Sequence, residues 1–510
     1  MYPLVFPFFS SIFYRLFGFY GLTILPAVCG AATVYVTYLS ARLLNLRFRL
    51  ALVPVMGVAT PLIIYSSVFW DHTAIMLAVA SASYWAIRAL NDNRVRSAFI
   101  AGAILGTGMW IHELVLALFV AFALATLPVL SAKKSFLKGL AAGFGTILVV
   151  WAFYNKIVYG ALAGPHLGAN VVANNPDHPF TLSAVLNLSE FANRSAAQLI
   201  GSTLPGATFW IGEDNWILLL YLASMLVLYG FWSRGKLTPL EQTVSAVLLL
   251  AATYCGVTVA YAIHRYYTPA GLFQATPLFI PALAVPLLAP RMRKREDADI
   301  SAICWLGRAT LLFIIGLLIN PMYPGTDWGS RYLLSALPML VLLAAFGIEK
   351  QLVGLNGPLT VVGNTSVVVV IAASIACQLL GLIWIHRSMA YDADLDQRLT
   401  KIHASILVTD ADFHARLAPS AGNQERFLVR TGTDDIIFQH VVRHVPHSAE
   451  IDFLGLSDRG WQVEEALTLN GRKFRRSYVG VINPQKDGTT GNELQLIRYV
   501  QVPNTQGQPQ

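Results

Sequence analysis

Charged residues are scarce in this chain of 510 residues, of which only 13% are Asp, Glu, Lys or Arg. Soluble proteins carry about 25%. The hydrophobic share of 55% and the mean hydropathy of +0.56 depart from the soluble average in the same direction. These values exclude a soluble globular enzyme, a disordered protein and a nucleic-acid binder. Acidic residues are concentrated after residue 386, where 15 of the 28 Asp and Glu lie. We therefore predict a multi-span membrane protein followed by one water-soluble domain.

Cysteine pairs and several common catalytic motifs are also lacking. The chain contains no HExxH, no GxGxxG and no GxxxxGK[ST], which excludes a zinc protease and a Gly-rich phosphate loop. The first residues lack the basic region and the small-residue cleavage site of a secretory signal peptide. The cysteines form no CxxC pair and lie in apolar runs, so they are interpreted as core residues and not as a metal site or a disulfide framework: Cys29, Cys255, Cys304 and Cys377.

Apolar runs long enough for membrane spans recur along the chain, since a transmembrane helix needs about 20 mostly apolar residues. Eleven or twelve spans are predicted, and two short runs could instead form one helical hairpin (97–112 and 114–131). The predicted spans cover residues 20–41, 50–68, 72–90, 97–112, 114–131, 137–158, 214–233, 241–263, 268–289, 303–320, 332–348 and 359–386.

The loops between these runs alternate in positive charge. One set of loops holds 17 Lys and Arg residues and the other set holds 5, and by the positive-inside rule the richer set is cytoplasmic. The same rule explains the isoelectric point near 9.2 without any affinity for nucleic acid. The alternation predicts that Met1 and the domain after Arg387 lie outside the cytoplasm, on the periplasmic side of a bacterial inner membrane.

Residues 1–19 are apolar and aromatic but too short for a span, and Pro3 and Pro7 interrupt them. They predict an amphipathic helix in the outer interface. An N-terminus outside the cytoplasm normally requires a signal peptide. We therefore expect that a preceding span and outer loop are absent from this chain; the alternative is a short N-terminus that crosses the membrane unaided. The expected organisation is the interfacial helix 1–19, a transmembrane domain 20–387 with an outer loop 159–213, an α/β domain 388–503 and a disordered tail 504–510.

Ionisable residues gather at the outer ends of the predicted spans. Asp71 and His72 begin one span, and His112 and Glu113 lie between two others. Ionisable groups cost about 2.5–3.5 kcal/mol at bilayer depth, so a function is expected for them. Two structural alternatives stay open: Asp71 caps its helix, or His112 and Glu113 form an ion pair. In a site, a carboxylate would take the proton of an acceptor hydroxyl.

Cations and aromatic residues lie at the same outer ends. Arg331 presents five donors suited to phosphate oxygens; alternatively, it pairs with Asp327 four residues before it. The tyrosines and tryptophans could equally form an interfacial aromatic belt. The pattern predicts an outward-facing pocket for a lipid-linked phosphate, with these candidate residues: Arg331, Arg265, Lys156, Tyr332, Trp328 and Asp327.

Four stretches resemble the GT-C superfamily of integral-membrane glycosyltransferases, in particular bacterial family 39 proteins similar to protein mannosyltransferases and lipid A aminoarabinose transferases. They are YPLVFPFFSSIFYRLFGFYGLTILP (2–26), TPLIIYSSVFWDHTAIML (60–77), WIHELVLAL (110–118) and NPMYPGTDWGSRYLLSALPML (320–340). The likeness covers roughly residues 1–390. With the apolar runs, it implies an all-α polytopic membrane protein, GT-C-like, with about 11–12 transmembrane helices, followed by the small extracytoplasmic α/β domain.

The resemblance implies transfer of a sugar from a polyprenyl-phosphate carrier to a lipid, glycan or protein acceptor on the outer side of the membrane, with inversion at the anomeric carbon. Asp71, His72, His112 and Glu113 are the catalytic candidates, and Arg331 with Arg265 would stabilise the leaving phosphate. The family's principal acidic motif lies in a first outer loop that this chain does not contain, so Asp71, Glu113 and Asp327 are the available substitutes. The sequence assigns no metal site. The only cofactor considered for the reaction is a divalent cation, and its requirement stays open.

After Arg387 the composition is that of a soluble domain. Its scattered Asp and His residues favour acceptor binding or packing over catalysis. Alternating strands and a helix favour a small α/β layer. Strands are predicted in ASILVTD (404–410), ERFLVRTG (425–432), AEIDFLGL (449–456), RRSYVGVI (475–482) and LQLIRYVQV (494–502), and a helix at 434–445.

Two other functions stay open. The first is a transporter or flippase for a lipid-linked glycan, which should show inverted repeats and ionisable residues near mid-membrane. The sequence has no evident repeat, and its ionisable residues cluster at span ends. The second is a truncated, non-catalytic relative that only binds lipid or a partner.

Overall fold

The computed structural model describes residues 5–162, 191, 195, 198–199, 271–283, 298–319, 330, 332–353, 358–399, 406–409, 427–430, 450–456, 465–469, 472–481 and 494–502. The chain divides into two compact units, Met1–Leu382 and Ile383–Gln510. Helices make up the described part of the first unit, and the second carries a β-sheet. The class of structure thus changes close to the point where the composition changes.

The first unit begins with helices joined by short turns. Four described helices are long and apolar enough to cross a membrane, namely Tyr20–Leu43, His72–Asp92, Lys133–Tyr159 and Ser301–Ile319, so the chain is an integral membrane protein. The first elements are α1 (Val5–Phe17), a 3₁₀ helix (Gly18–Thr23), α2 (Ile24–Leu43), α3 (Arg49–Val58), α4 (Leu62–Ser66), α5 (His72–Asp92), α6 (Val95–Gly108), α7 (Leu114–Thr126) and α8 (Leu130–Tyr159).

The later helices of this unit are described in separate stretches. A short helix (Leu272–Ala275) and a 3₁₀ helix (Pro277–Leu283) come first, followed by α9 (Ala298–Ile319), a 3₁₀ helix (Leu333–Ala336), α10 (Leu337–Val353) and α11 (Pro358–Leu399). The predicted spans 214–233 and 241–263, almost all of the loop 159–213 and the tail 504–510 lie outside the described residues.

Three predicted spans are not continuous helices. The run 50–68 is divided into α3 and α4, and Pro61 stands at the division. The run 268–289, where it is described, consists of the short helix and the 3₁₀ helix around Pro277 and Pro281. Proline removes a backbone donor and clashes with the preceding turn, which explains both interruptions. The third is the run 114–131, which consists of α7, a 3₁₀ helix (Leu127–Val129) and the first residues of α8. A short turn joins α7 to α6, which lies in the run 97–112.

Helix α1 buries one side and exposes the other. Phe6 and Ser10, which are one turn apart, are buried, whereas Phe8, Phe9 and Leu16 are exposed. An exposed apolar side suits contact with lipid better than contact with water. The helix itself is confirmed, and its position in the outer interface of a membrane stays a prediction.

Close packing of α6 against α8 depends on glycine. A Cβ atom at Gly102 would collide with the Leu140 carbonyl, and one at Gly143 with the Phe99 carbonyl. Small residues four positions apart allow membrane helices to approach backbone to backbone. Both helices carry such a pair on their facing sides: Gly102 and Gly106, and Gly139 and Gly143.

Replacing Gly143 with alanine should therefore destabilise the membrane domain by about 1–3 kcal/mol, the usual cost of overpacking a tight contact. Gly145 lies two residues further along the same helix, and a Cβ atom there would have no described neighbour within 4 Å. Gly145→Ala should leave the stability unchanged or raise it. Thermal unfolding of the two purified variants in one detergent measures the difference, and equal midpoints would contradict the close contact.

Cationic side chains hold the ends of α5 and α7 that are opposite to Asp71 and Glu113. Lys133 Nζ donates to the Leu90 carbonyl at 2.8 Å, and Arg308 Nε donates to the Ala125 carbonyl at 3.2 Å. The last carbonyl groups of a helix lack partners within the helix, and cations there also complement its dipole. These bonds fix the two helices at the ends remote from the carboxylates.

The described strands of the second unit form one mixed sheet in the order β2-β1-β3-β6-β5-β4. Strand β1 pairs in parallel with β2 and β3, and the other pairs are antiparallel. The strands are β1 (Ile406–Thr409), β2 (Phe427–Arg430), β3 (Glu450–Leu456), β4 (Ala466–Leu469), β5 (Arg472–Val481) and β6 (Leu494–Gln501).

All five predicted strands of this domain are confirmed, and β4 was not predicted. Strands β4 and β5 are separated in sequence by Asn470 and Gly471, a dipeptide typical of tight hairpins, so a signal for β4 did exist. The predicted helix 434–445 lies outside the described residues.

Candidate functional site

Asp71 and His72 stand at the start of α5, which begins where the Ile75 N–H donates to the Asp71 carbonyl at 3.1 Å. Their side chains are 14% and 9% exposed, and Asp71 Oδ1 lies 3.9 Å from His72 Nδ1. Within the described chain, the Asp71 carboxylate makes no capping hydrogen bond to its helix. Helix capping therefore does not account for this partly buried carboxylate.

Two aromatic rings enclose the His72 imidazole. Tyr65 and Trp70 each meet it edge to face, with ring centroids 5.4 and 5.6 Å away, and Tyr65 stacks on Trp70 at 5.6 Å. Tyr65 is buried, whereas Trp70 keeps 39% of its surface exposed beside Asp71. Sequence reasoning missed Tyr65, because it belongs to α4 and no spacing rule connects it to His72.

His112 and Glu113 occupy the turn between α6 and α7. The Leu114 N–H donates to His112 Nδ1 at 3.2 Å, so this nitrogen is an acceptor and the neutral imidazole carries its proton on Nε2. Nδ1 also lies 3.8 Å from Glu113 Oε2, which exceeds a hydrogen-bond distance. Among the described contacts, the 11% exposed Glu113 carboxylate does not cap α7 either. The structure thus excludes capping by Glu113, and it places Glu113 at ion-pair distance from His112, as the structural alternative predicted.

One apolar cluster connects the two carboxylate–imidazole pairs. Ala74 follows His72 by two residues, and Ile111 directly precedes His112, so the cluster brings the starts of α5 and α7 together. Phe6 of α1 belongs to the same cluster and stacks on Phe69 at 5.3 Å. The cluster consists of Phe6, Cys29 and Ala74, with Leu25, Leu77 and Ile111 packed against them.

Tyr332 lies beside the second pair. Its ring meets that of His112 edge to face at 6.0 Å. The turn that carries Tyr332 begins at Ser330, whose carbonyl accepts the Leu333 N–H at 2.9 Å. Ser330 is buried and has a φ of +42°, a left-handed conformation that is uncommon for a residue with a side chain. Such backbone strain often accompanies functional sites.

The other predicted phosphate ligands differ in where they lie. Lys156 Nζ donates to the Gly160 carbonyl at 2.9 Å just beyond the end of α8, so a phosphate would have to replace that exposed bond. Four further candidates fall outside the described residues: Arg265, Asp327, Trp328 and Arg331.

Two buried hydroxyl groups lie next to the candidate residues in sequence. Thr73 follows His72, and Ser330 precedes Tyr332 by two residues; both are buried. Neither hydroxyl has a hydrogen-bond partner in the part of the chain that the structure describes. Buried polar groups are nearly always hydrogen-bonded in native proteins, and these two hydroxyls depart from that rule among the described residues.

A metal centre requires several ligating side chains in one place. Among the described residues, no group of three or more His, Cys, Asp or Glu side chains could hold a metal ion. Asp71 with His72 forms one pair and His112 with Glu113 another, and each pair offers two ligating residues.

The chain is similar in structure to a protein named ArnT. It aligns over 100% of its own length and 89% of the other chain with the crystal structure of ArnT from Cupriavidus metallidurans bound to undecaprenyl phosphate, with a TM-score of 0.54 and 11% identity. No family model matches the chain, and no curated protein matches it significantly. The likeness supports the predicted GT-C-like fold, and at this identity it carries the fold alone.

Proposed function

We propose that this chain is a membrane glycosyltransferase that moves a sugar from a polyprenyl-phosphate carrier to a lipid, glycan or protein acceptor outside the cytoplasm. The observation that carries the proposal is that one carboxylate–imidazole pair stands at the start of each of the helices α5 and α7, and that residues next to both pairs pack in one apolar cluster. The fold adds support, because the ArnT structure was determined with undecaprenyl phosphate bound.

The proposed reaction is an inverting displacement at the anomeric carbon. The acceptor oxygen forms a bond to that carbon as the bond from the carbon to the carrier phosphate breaks, and the bonding electron pair leaves with the phosphate. The acceptor hydroxyl gives its proton to a carboxylate, for which Asp71 and Glu113 are the candidates. His72 and His112 would then orient these groups or relay the proton.

The leaving phosphate needs positive charge and hydrogen-bond donors. Arg331 and Arg265 are the proposed cations, and Tyr332 lies in the described structure beside His112. The Thr73 and Ser330 hydroxyls could donate to phosphate or sugar oxygens, which would satisfy two buried groups at once. In a site sheltered from water these interactions are stronger than at an exposed surface.

The proposed membrane is the bacterial inner membrane, with the C-terminal domain in the periplasm. The support for this orientation is the ratio of 17 to 5 basic residues between the two sets of loops. A protein of this orientation would meet lipid-linked donors and its acceptors on the outer side, where the C-terminal sheet domain could help to bind the acceptor. Protease added to intact spheroplasts should digest a tag after Gln510, and full protection of the tag would overturn the orientation.

The central experiment supplies the full-length protein in liposomes with a panel of undecaprenyl-phosphate-linked sugars and follows transfer to lipid or glycan acceptors. Arg331→Ala should lower transfer by at least about 100-fold if the guanidinium stabilises the departing phosphate. Arg88→Ala is the control, because Arg88 lies toward the other end of α5 and pairs with Asp92 at 3.5 Å.

Each outcome of this assay decides a part of the proposal. Transfer that Arg88→Ala retains and Arg331→Ala loses would support both the reaction and the phosphate site. Full transfer by the Arg331→Ala protein would remove Arg331 from that role. Movement of intact donor lipid across the bilayer without any transfer would favour a flippase instead.

A further inference from the structure

A second polar centre lies on other elements of the membrane domain, where the segment from Ala275 to Leu278 meets α11. Pro277 has no N–H to donate, and the Leu278 N–H leaves its own segment to donate to Ser374 Oγ at 3.0 Å. One turn further along α11, Gln378 Nε2 donates to the Ala275 carbonyl at 2.6 Å. Two side chains of α11 thus replace the hydrogen bonds that a continuous helix would make for itself.

The surroundings of this centre are apolar. Leu278 packs in one buried cluster with Ala59, Val370 and Ala373. Ala59 directly follows α3 at the break before α4, so the interruption near Pro61 and the one at Pro277 both lie against α11. Irregular backbone within a membrane protein is tolerated only where its polar groups are satisfied by protein or by water.

Two polar atoms of the centre find no hydrogen-bond partner among the described residues. The Ala275 carbonyl is an acceptor, so it must face the nitrogen of the Gln378 amide and not its oxygen. This contact fixes the orientation of the amide and leaves Gln378 Oε1, which can only accept, without a share in it. Neither Gln378 Oε1 nor Thr276 Oγ1 has a hydrogen-bond partner in the described structure. Both side chains are completely enclosed, with exposures of 1% and 0%.

We propose that a buried water molecule occupies this centre and bridges Gln378 Oε1 and Thr276 Oγ1. The ligand must donate a hydrogen bond to the amide oxygen and must also form a hydrogen bond with a hydroxyl. A water molecule can do both, because it is a donor and an acceptor at once. A metal cation would need about six oxygen ligands, whereas the two unsatisfied atoms supply two. Buried waters of this kind typically satisfy several polar groups and are costly to remove.

The bound water joins the interrupted segment to α11. Loss of its hydrogen bonds should therefore lower the stability of the protein. Thr276→Val keeps the shape of the side chain and deletes the hydroxyl. With the water present, this change breaks a bond and should lower the midpoint of thermal unfolding by about 1–3 °C. If the hydroxyl is an unsatisfied group with no ligand, the same change removes a penalty and raises the midpoint.

Thr310→Val is the matched control, because Thr310 is equally buried in α9 and its hydroxyl is bonded to the Leu306 carbonyl of its own helix at 2.8 Å. A second measurement is a double-mutant cycle of Thr276→Val and Gln378→Met. The direct bond from Gln378 to Ala275 is lost in both variants that carry Gln378→Met, so its contribution cancels. Shared water predicts that the Thr276→Val and Gln378→Met effects are not additive.

A Thr276→Val midpoint below that of the native protein, by about as much as Thr310→Val lowers it, together with non-additivity, would support the water. An unchanged or higher midpoint, or additive effects, would overturn it. If Thr276→Val does not fold, the pair Thr276→Ser and Thr276→Ala isolates the hydroxyl in the same way. The readout is independent of sugar transfer, so the inference does not depend on the proposed function.

Discussion

Asp71→Asn should lower the kcat of sugar transfer by about 10²–10⁴-fold, the usual contribution of a general base, while the protein remains folded. Asparagine has nearly the same shape as aspartate and is an equally good residue before a helix, so α5 should start where it does now. The change removes only the charge and the basic oxygen that would receive the acceptor proton. Asp92→Asn is the control at the other end of the same helix, where the carboxylate lies beside Arg88.

Glu113→Gln extends this test to the second carboxylate. If both carboxylates act on one step, the double variant should be no slower than the slower single variant, because groups that act as a unit are not additive. If Asp71 alone is the base, Glu113→Gln should mainly change KM for the acceptor. Retention of kcat within about twofold by both single variants would remove proton abstraction by these residues from the mechanism.

Hydropathy predicts where the helices of this protein lie, because contact with lipid or with a membrane-protein core restricts composition along a whole span. The helices α2, α5 and α9 begin and end within a few residues of the predicted spans. The same signal fails at Pro61 and at Pro277, since an interrupted segment and a continuous helix are equally apolar when both are buried. Only the tertiary partners in α11 reveal how the interruption at Pro277 is stabilised.

The candidate site could be predicted only in part. His112 and Glu113 are conspicuous because ionisable residues are rare within apolar runs. Tyr65 is not conspicuous, since tyrosine is common near membrane interfaces and its contact with His72 arises from the packing of α4 against α5. The left-handed backbone of Ser330 gives no sequence signal either, because it depends on the turn that follows. The facing glycine pairs of α6 and α8 are the opposite case, since their spacing is visible in the sequence.

A buried ion pair dominates the polar interactions of the described C-terminal sheet. Asp452 on β3 is fully buried and lies opposite Arg498 on β6. Arg498 Nε and Nη2 each donate to one oxygen of the Asp452 carboxylate at 2.8 Å, and Glu450 Oε2 lies 3.7 Å from Nε. This two-pronged geometry is specific to arginine and carboxylate, so lysine at position 498 could not reproduce it.

Arg498→Met should destabilise the C-terminal domain by about 3–5 kcal/mol, because it leaves the Asp452 charge buried and unpaired. The measurement is hydrogen exchange of the full-length protein, in which β3 and β6 should lose most of their protection. Arg476→Ala is the control, since Arg476 Nη2 meets the exposed Glu465 at 3.9 Å and such surface pairs contribute about 0–1 kcal/mol. The double variant Asp452→Leu with Arg498→Met should regain much of the lost stability.

The dependence on alkaline pH distinguishes a paired guanidinium from ordinary packing. The hydrogen bond to Asp452 raises the pKa of Arg498 above its usual value. A group whose pKa is raised by folding stabilises the protein at every pH below its unfolded pKa, and this contribution is lost only as the pH rises through the folded value. For arginine that window lies well above physiological pH. The double variant Asp452→Leu with Arg498→Met has no buried carboxylate at this place that could titrate. The difference in stability between the native protein and this double variant should therefore stay constant from about pH 7 to pH 9, and a steady fall over this range would show that a group other than the guanidinium stabilises the sheet.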